Sequence, residues 1–337
     1  MKYSGIDLHS NNSYVVVTDE QDRVVAEKRL PNDLTAIKAF LSPHAADLQG
    51  VVVESTFNWY WLVDGLQEAG FNVHLANPAA IKKYEGLKHS GDDTDARHLA
   101  QLLRLGILPT GTILPKEDRA IRDLARKRLQ LVRSRTAHLL AAGNITTRQT
   151  GIGVRSNSLK RLTSEAIDAA GYLPEVALAI KANVAVITAI GAQIDLLEKC
   201  LQKRLAERPE YDLLTSVPGI GPILAQTILL ETGPIERFAG VGNYASYARC
   251  VDSAHTSNFK KKGEGNRKNG NKYLSWAFVE AANFAVRYCP EAKRFFERKK
   301  AKTNKTVATK ALAHKLARAC YHILKDRAPF EVARCFA

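Results

Sequence analysis

An α/β domain followed by a mainly helical remainder is what this 337-residue sequence predicts, and three observations predict it. Over the first hundred residues, short β-branched runs alternate with amphipathic stretches. After Pro115 the apolar residues step by three and four instead. The charge changes sign at about the same place. Residues 1–110 hold 10 Lys/Arg against 14 Asp/Glu and the remainder 39 against 20, within a net charge of +15.

Three consecutive strands come first: YSGIDLH, NSYVVVTDE and RVVAEKRL, divided by Asn11–Asn12 and by the polar turn Glu20–Asp22. Asn32–Asp33 then caps the helix DLTAIKAFL. GVVVEST is a short buried strand, and an amphipathic helix through Trp59, Leu62 and Leu66 follows it as far as Gly70. FNVHLAN is the fifth strand, Pro78 opens a helix, and Thr94–Leu105 forms another. Three strands, helix, strand, helix, strand, helices is the element order of the ribonuclease H-like fold.

Glu117–Leu140 reads as a long basic helix carrying Arg119, Arg122, Arg126, Lys127, Arg128, Arg133 and Arg135. Gly143–Gly153 and Ser156–Ser158 read as a break. From Val176 to Leu205, Ile180, Val184, Ile187, Ile190, Ile194, Leu197 and Leu201 draw a coiled-coil-like seam. It fits a helical hairpin within the chain as well as a dimerising coil. Near Tyr211 a third region opens, with Gly219-Ile220-Gly221 between two helical segments, as in a helix-hairpin-helix that meets a phosphate or as in a plain interhelical turn. A basic loop with Lys260, Lys261, Lys262, Arg267, Lys268 and Lys272 follows, and Ala308–Ala337 reads as helix. These boundaries give domains at 1–110, 111–208 and 209–337.

The five cysteines form no CxxC pair, which argues against a zinc site or a disulfide framework. No apolar run approaches a membrane span, and MKYSGIDLHS lacks a signal-peptide pattern, so a cytoplasmic, nucleoid-associated protein with no membrane partner is expected. The basic excess points to a polyanion, with the helix residues Arg126, Lys127 and Arg128 and the basic loop as its contacts.

The acidic end carries the chemistry. Asp7 sits in the first strand between Ile6 and Leu8, and Glu54 closes a run of three valines. An acid so placed is costly to bury unpaired. If the first and fourth strands are neighbours, both acids converge on one edge. A helix starting near Asp92 then adds Asp92 and Asp95, three residues apart on one face. Four hard oxygen donors suit Mg²⁺, and a divalent ion offsets the mutual repulsion of Asp92, Asp93 and Asp95.

GIDLHS, VVVEST and DDTDARHLAQLL resemble the DEDD motifs in the RuvC-like domain of a bacterial insertion-sequence transposase family. LLTSVPGIGPILAQTILLETG, the Ser/Lys/Gly loop and GNKYLSWAFVEAA resemble that family's C-terminal transposase domain. The resemblance implies an RNA-guided recombinase that uses a structured non-coding bridge RNA to pair donor and target double-stranded DNA, working as a homo-oligomer, a dimer or tetramer. It implies a Mg²⁺ site at Asp7, Glu54, Asp92 and Asp95, and a nucleophilic serine at Ser257. Asn258 stands where the family has glycine after that serine, and Ser253 and Thr256 are alternatives. Ser90 replaces a lysine the family carries two residues before the third acid. Two rival functions use parts of the same set: a hydrolytic Holliday-junction resolvase-like nuclease needs only the carboxylates, and a nucleic-acid-binding scaffold needs neither metal nor serine.

Overall fold

Residues 1–81, 91–251, 255–263 and 269–336 are described by the structure, a computed structural model. His89, Ser90, Ser253, Arg267 and Lys268 lie outside the described residues, as do the side chains of His255, Thr256 and Lys261. The chain divides into two units, Met1–Ile113 and Leu114–Ala337.

The first unit is a six-stranded mixed sheet in the order β3-β2-β1-β4-β5-β6. Strands β1 (Lys2–Leu8), β2 (Asn12–Asp19) and β3 (Val24–Pro31) form an antiparallel meander, with α1 (Leu34–Leu41) after it. β4 (Leu48–Glu54) pairs parallel to β1, and after α2 (Tyr60–Glu68) so does β5 (Val73–Ala76) to β4. α3 (Asp92–Arg104) begins two residues earlier than the sequence suggests. The short β6 (Thr110–Gly111), which the sequence reading does not contain, pairs antiparallel to β5. The helix expected from Pro78 is, in its described part, a turn closed by Ala80 N–H on Asn77 O.

Period-two alternation sorts the strand residues onto two faces. Ile6, Leu8, Val15, Val17, Val51, Val53, Val73 and Leu75 pack with Ile37, Leu41, Leu62 and Leu66 of α1 and α2. The opposite face, with Gly5, Asp7, Val52 and Glu54, belongs to α3. There a Cβ on Gly5 would stand 1.9 Å from Ala96 O, so the α3 backbone rests directly on β1. Arg97, with two donors on one Glu27 oxygen, and Arg104, bidentate on Asp22, tie the same helix to the β2–β3 hairpin. Glu27, Lys28 and Arg29 charge the edge strand β3, a usual safeguard against edge pairing.

In the second unit α4 runs unbroken from Lys116 to Thr150, so the break expected at Gly143 does not occur. A mid-helix glycine costs about 1 kcal/mol. Packing outweighs that here, because Leu139, Ala142, Leu159 and Ile187 share a buried cluster. Each fully buried aliphatic contributes roughly 1.5–3 kcal/mol. The helix stops at Gly151, whose φ of 73° is the left-handed stop glycine favours. After α5 (Ser156–Leu159) and α6 (Ser164–Ala169), α7 (Pro174–Leu205) returns antiparallel along α4, with Arg128 bonded to Glu198 and His138 to Asn183. The seam is therefore an intrachain hairpin, burying Ile180, Val184, Ile187, Ile194 and Leu201. By length and composition alone α7 passes the test for a membrane-crossing helix, as packed core helices also do, and here it packs along α4.

α8 (Pro209–Thr215) and α9 (Pro222–Thr232) flank the glycine turn, followed by α10 (Val241–Tyr247). A Cβ on Gly219 would meet Ala281 O at 2.4 Å, so that glycine serves helix packing. A two-stranded hairpin, β7 (His255–Ser257) and β8 (Lys260–Gly263), occupies part of the expected basic loop. α11 (Lys272–Tyr288), α12 (Pro290–Lys302), α13 (Lys305–Asp326) and α14 (Val332–Phe336) complete the unit. α9 is its hub, buried from Leu224 to Thr232 apart from Thr227. Cys250, Cys289 and Cys320 are buried, and burial pushes the Cys250 thiol up to about 12.

Candidate metal centre and serine loop

Asp7 lies near the end of β1, 4% exposed, on the face that α3 covers. Ile6 pairs with Val53 of β4, so Asp7 and Glu54 take the next positions on adjacent parallel strands. This is the convergence the sequence suggests. The cluster that forms, however, is Asp7, His9 and Asp92, with one ligand atom from each within 4.8 Å of the others. Glu54 and Asp95 fall outside that set and have interactions of their own.

His9 is the centre of the arrangement. Its Nε2 lies 3.1 Å from Asp7 Oδ2 and 3.3 Å from Asp92 Oδ1. Two asparagines hold the turn that carries it: Asn32 Nδ2 donates to His9 O at 2.9 Å and Asn58 Nδ2 at 3.0 Å. Ser13 and Thr56 in turn donate to the carbonyl oxygens of those two amides. The sequence presents Asn32 as half of a helix cap. In the structure Asp33 caps α1, and Asn32 serves the histidine turn.

The three carboxylates at the start of α3 go separate ways. Asp92 accepts from Arg29 of β3 at 2.6 Å, and Arg29 also donates to Asn12. That hydrogen bond, with His9 adding to it, holds the Asp92 carboxyl below the usual carboxylate range. Asp93 faces Arg97 at 3.8 Å, away from the cluster. Arg29 and Arg97 thus each face one of these acids, and the helix N-terminus favours all three. Thr94 completes the start of the helix, accepting from Gly91 N–H and donating to Gly91 O.

In the second unit Ser257 ends β7, is exposed, and pairs with Lys260 across the hairpin. Among the described residues its hydroxyl has no hydrogen-bond partner. Lys260, Lys262 and Lys272 are exposed. The base of this loop is tightly held. Arg249 donates to Gly270 O at 3.1 and 2.8 Å, and Asn271 N–H donates to Tyr247 O at 2.6 Å. Asn271 caps α11 through Tyr273 and Leu274 N–H, while its own Nδ2 donates to Glu231 Oε2 at 2.7 Å.

Glu231 also receives Arg126 in a bidentate pair at 2.6 and 2.7 Å. Burial works to lower the Arg126 pKa, and the Glu231 bonds and charge more than reverse it. Two of the three helix residues expected to meet a polyanion are therefore engaged within the fold, Arg126 with Glu231 and Arg128 with Glu198. Lys127 is exposed. It lines a groove of about 370 Å³ with Gln130, Arg133 and Tyr273, and the Arg126 guanidinium lies 4.7 Å from the Tyr273 ring centre. Glu231 escapes the sequence reading although ILLETG carries the signal that singles out Glu54, an acid closing an apolar run.

Two family models match the chain. One, for a transposase of the DEDD IS110 type, covers residues 4–142, and one for the transposase IS116/IS110/IS902 family covers residues 211–297. A probable family 20 transposase of Pseudomonas aeruginosa is 24% identical over 296 residues, covering 85% of this chain and 84% of the relative. The transposase for insertion sequence element IS1328 of Yersinia enterocolitica is 24% identical over 288 residues, covering 82% of each. The transposase for insertion sequence element IS1111A of Coxiella burnetii is 22% identical over 341 residues, covering 98% of this chain and 88% of the relative. One match covers the acids of the first unit and the other the serine loop of the second: the chain belongs to the IS110-type transposase family.

Proposed function

We propose that this chain is the RNA-guided recombinase of an insertion sequence, which cuts and exchanges strands of donor and target DNA. The observation that carries the reading is the convergence of Asp7, His9 and Asp92 at the end of β1. The sheet order and strand directions support a RuvC-like identity for the first unit. The donor set fits a divalent ion of the Mg²⁺ class, since Asp7 and Asp92 offer carboxylate oxygens and Glu54 stands on the adjacent strand. Asp7, Asp92 and Glu54 are the residues that hold it, with Asp95 one turn along α3. A bound Mg²⁺ supplies positive charge at the phosphate oxygens in the transition state.

Ser257 Oγ attacks the scissile phosphorus and gives up its hydroxyl proton, one P–O bond to deoxyribose breaks, and the departing oxygen takes up a proton, so the step balances. The phosphoserine diester conserves the bond energy that rejoining requires. Lys260 and Lys262 hold the flanking phosphates, and Lys127, Arg133 and Lys272 extend the basic surface toward guide RNA and DNA. The outward face of α7 supports a homo-oligomer: Leu178, Val186 and Leu196 are exposed there beside Ala182, Ala185, Ala189 and Ala192.

The test is a denaturing gel of protein incubated with labelled element-end DNA, together with sequencing of co-purified RNA. Wild type forms a protein–DNA adduct, Ser257→Ala forms none while still binding, and Asp92→Asn or EDTA lowers adduct formation by about three orders of magnitude. Cleavage without adduct supports the resolvase-like hydrolase instead. Undiminished cleavage in EDTA removes the metal from the mechanism.

A further inference from the structure

Ser257 and Lys260 are joined by a two-residue turn, Asn258-Phe259, with φ of 49° and 59°. A turn with both central residues in the left-handed region is the usual place for Asn-Gly. Asparagine tolerates it, whereas a phenylalanine there is strained. The Phe259 ring is also fully exposed, at 104%, and is the most exposed large apolar side chain described, ahead of Phe57 at 85%. A strained backbone and an aromatic ring in water both count against stability. Glycine at this position would remove both.

The surroundings indicate what the ring meets. Lys260 and Lys262, both exposed, lie two apart and so share one face of β8, and Ser257 stands across the turn. The residues that flank the loop are held within the fold, Arg249 on Gly270 and Asn271 on Glu231. A protein partner would call for a contiguous apolar patch, but the turn is bounded by serine, asparagine and lysine. One flat ring flanked by cations is the pairing that suits a nucleobase and its phosphates.

We propose that Phe259 stacks on a base of the DNA strand whose phosphates Lys260 and Lys262 hold, anchoring that strand beside Ser257. The proposal rests on the recombinase reading for the identity of the strand. Stacking reads no sequence, since every base offers a π face, so the contact serves grip and register. An apolar side chain can also unstack neighbouring bases by entering between them.

The test uses the full chain with a mixed-sequence single-stranded DNA and with a duplex carrying an unpaired 2-aminopurine. Phe259→Ala is expected to bind roughly tenfold more weakly, with 2-aminopurine emission no longer responding to protein. Its salt slope stays that of wild type, because no charge is removed. Lys260→Ala with Lys262→Ala instead flattens the slope by about two. Phe259→Trp keeps the affinity. Phe259→Gly separates binding from folding: it relaxes the turn, so it unfolds at the same or a higher temperature while binding as poorly as Phe259→Ala.

Binding by Phe259→Ala and Phe259→Gly within twofold of wild type overturns the proposal. So does a Phe259→Gly chain that loses unfolding temperature along with affinity, since the ring then belongs to the fold. A wild-type chain without salt-dependent DNA binding overturns the nucleic-acid reading as well, and the stacking contact with it.

Discussion

Asp92 and Glu231 each accept a hydrogen bond from an arginine at 2.6 Å, one in each unit. Around Asp92 the pair is half open: its side chain is 31% exposed and that of Arg29 54%. His9 shares it, and no bidentate grip closes it. Around Glu231 the carboxylate is closed, while Arg126 keeps 31% of its side chain exposed. The carboxylate is 4% exposed, both oxygens are taken by Arg126, and Asn271 adds a third donor. An open pair can exchange its protein cation for a ligand at little cost, because water and neighbours take up the released charge. A closed pair cannot, since removing one partner strands a charge in a low-dielectric interior. The same two functional groups make a site in one place and a strut in the other.

Breaking the strut is expected to give the largest effect on stability. Glu231→Gln removes the buried charge opposite Arg126, which keeps Asp123 at 3.9 Å and the Tyr273 ring, so the cost is about 3 kcal/mol, the low end for a broken buried pair. Replacing both partners, Arg126→Met with Glu231→Leu, should return most of it, and a double-mutant cycle by denaturant unfolding measures the coupling. A Glu231→Gln chain as stable as wild type would show that the pair is no strut.

The next effect tests how the open pair is positioned. Gly5→Ala puts a Cβ against the Ala96 carbonyl and must lift α3 off β1. Overpacking of that kind costs about 1–3 kcal/mol. Because α3 carries Asp92, strand cleavage should fall by roughly a hundredfold, as a displacement near 1 Å can cause. Cleavage assayed well below the unfolding temperature separates the two. Stable protein with full activity would mean that the close approach does not set the acid's position.

The smallest effect belongs to Arg29→Met. Exposed pairs contribute at most about 1 kcal/mol, so the unfolding temperature at neutral pH should barely move. The Asp92 carboxyl should rise toward its ordinary value. A carboxylate with a lowered folded pKa contributes stability above its unfolded pKa, and that contribution is lost as pH falls through the folded one. Wild type should therefore be slightly the more stable at neutral pH, with the two chains converging in acid. A difference that widens on acidification would contradict the assignment.

Much of this was legible in the sequence because periodicity is a local property. The β-branched runs mark β2 and β4, and steps of three and four mark α7, whatever those elements pack against. Acids that close apolar runs are legible as well, which is why Asp7 and Glu54 stand out. Gly143 misleads for the converse reason: it is a helix breaker by propensity, and only the cluster of Leu139, Ala142, Leu159 and Ile187 keeps the helix continuous. Arg126 and Arg128 mislead in the same way. A charge run reads as a surface until a buried glutamate 105 residues away claims one of its members.

By itself the sequence determined that an acidic α/β unit precedes a basic helical one, which residues could carry metal chemistry, and the motifs of the family. Those follow from composition, short-range period and residue type. The tertiary structure alone decided that His9 sits between Asp7 and Asp92, that Arg29 of the edge strand takes Asp92, and that Glu231 joins Arg126 to Asn271 at the start of α11. Most of these contacts join different elements and span tens of residues. Their partners are chosen by strand order and by close approaches such as Gly5 on Ala96, which no local pattern encodes.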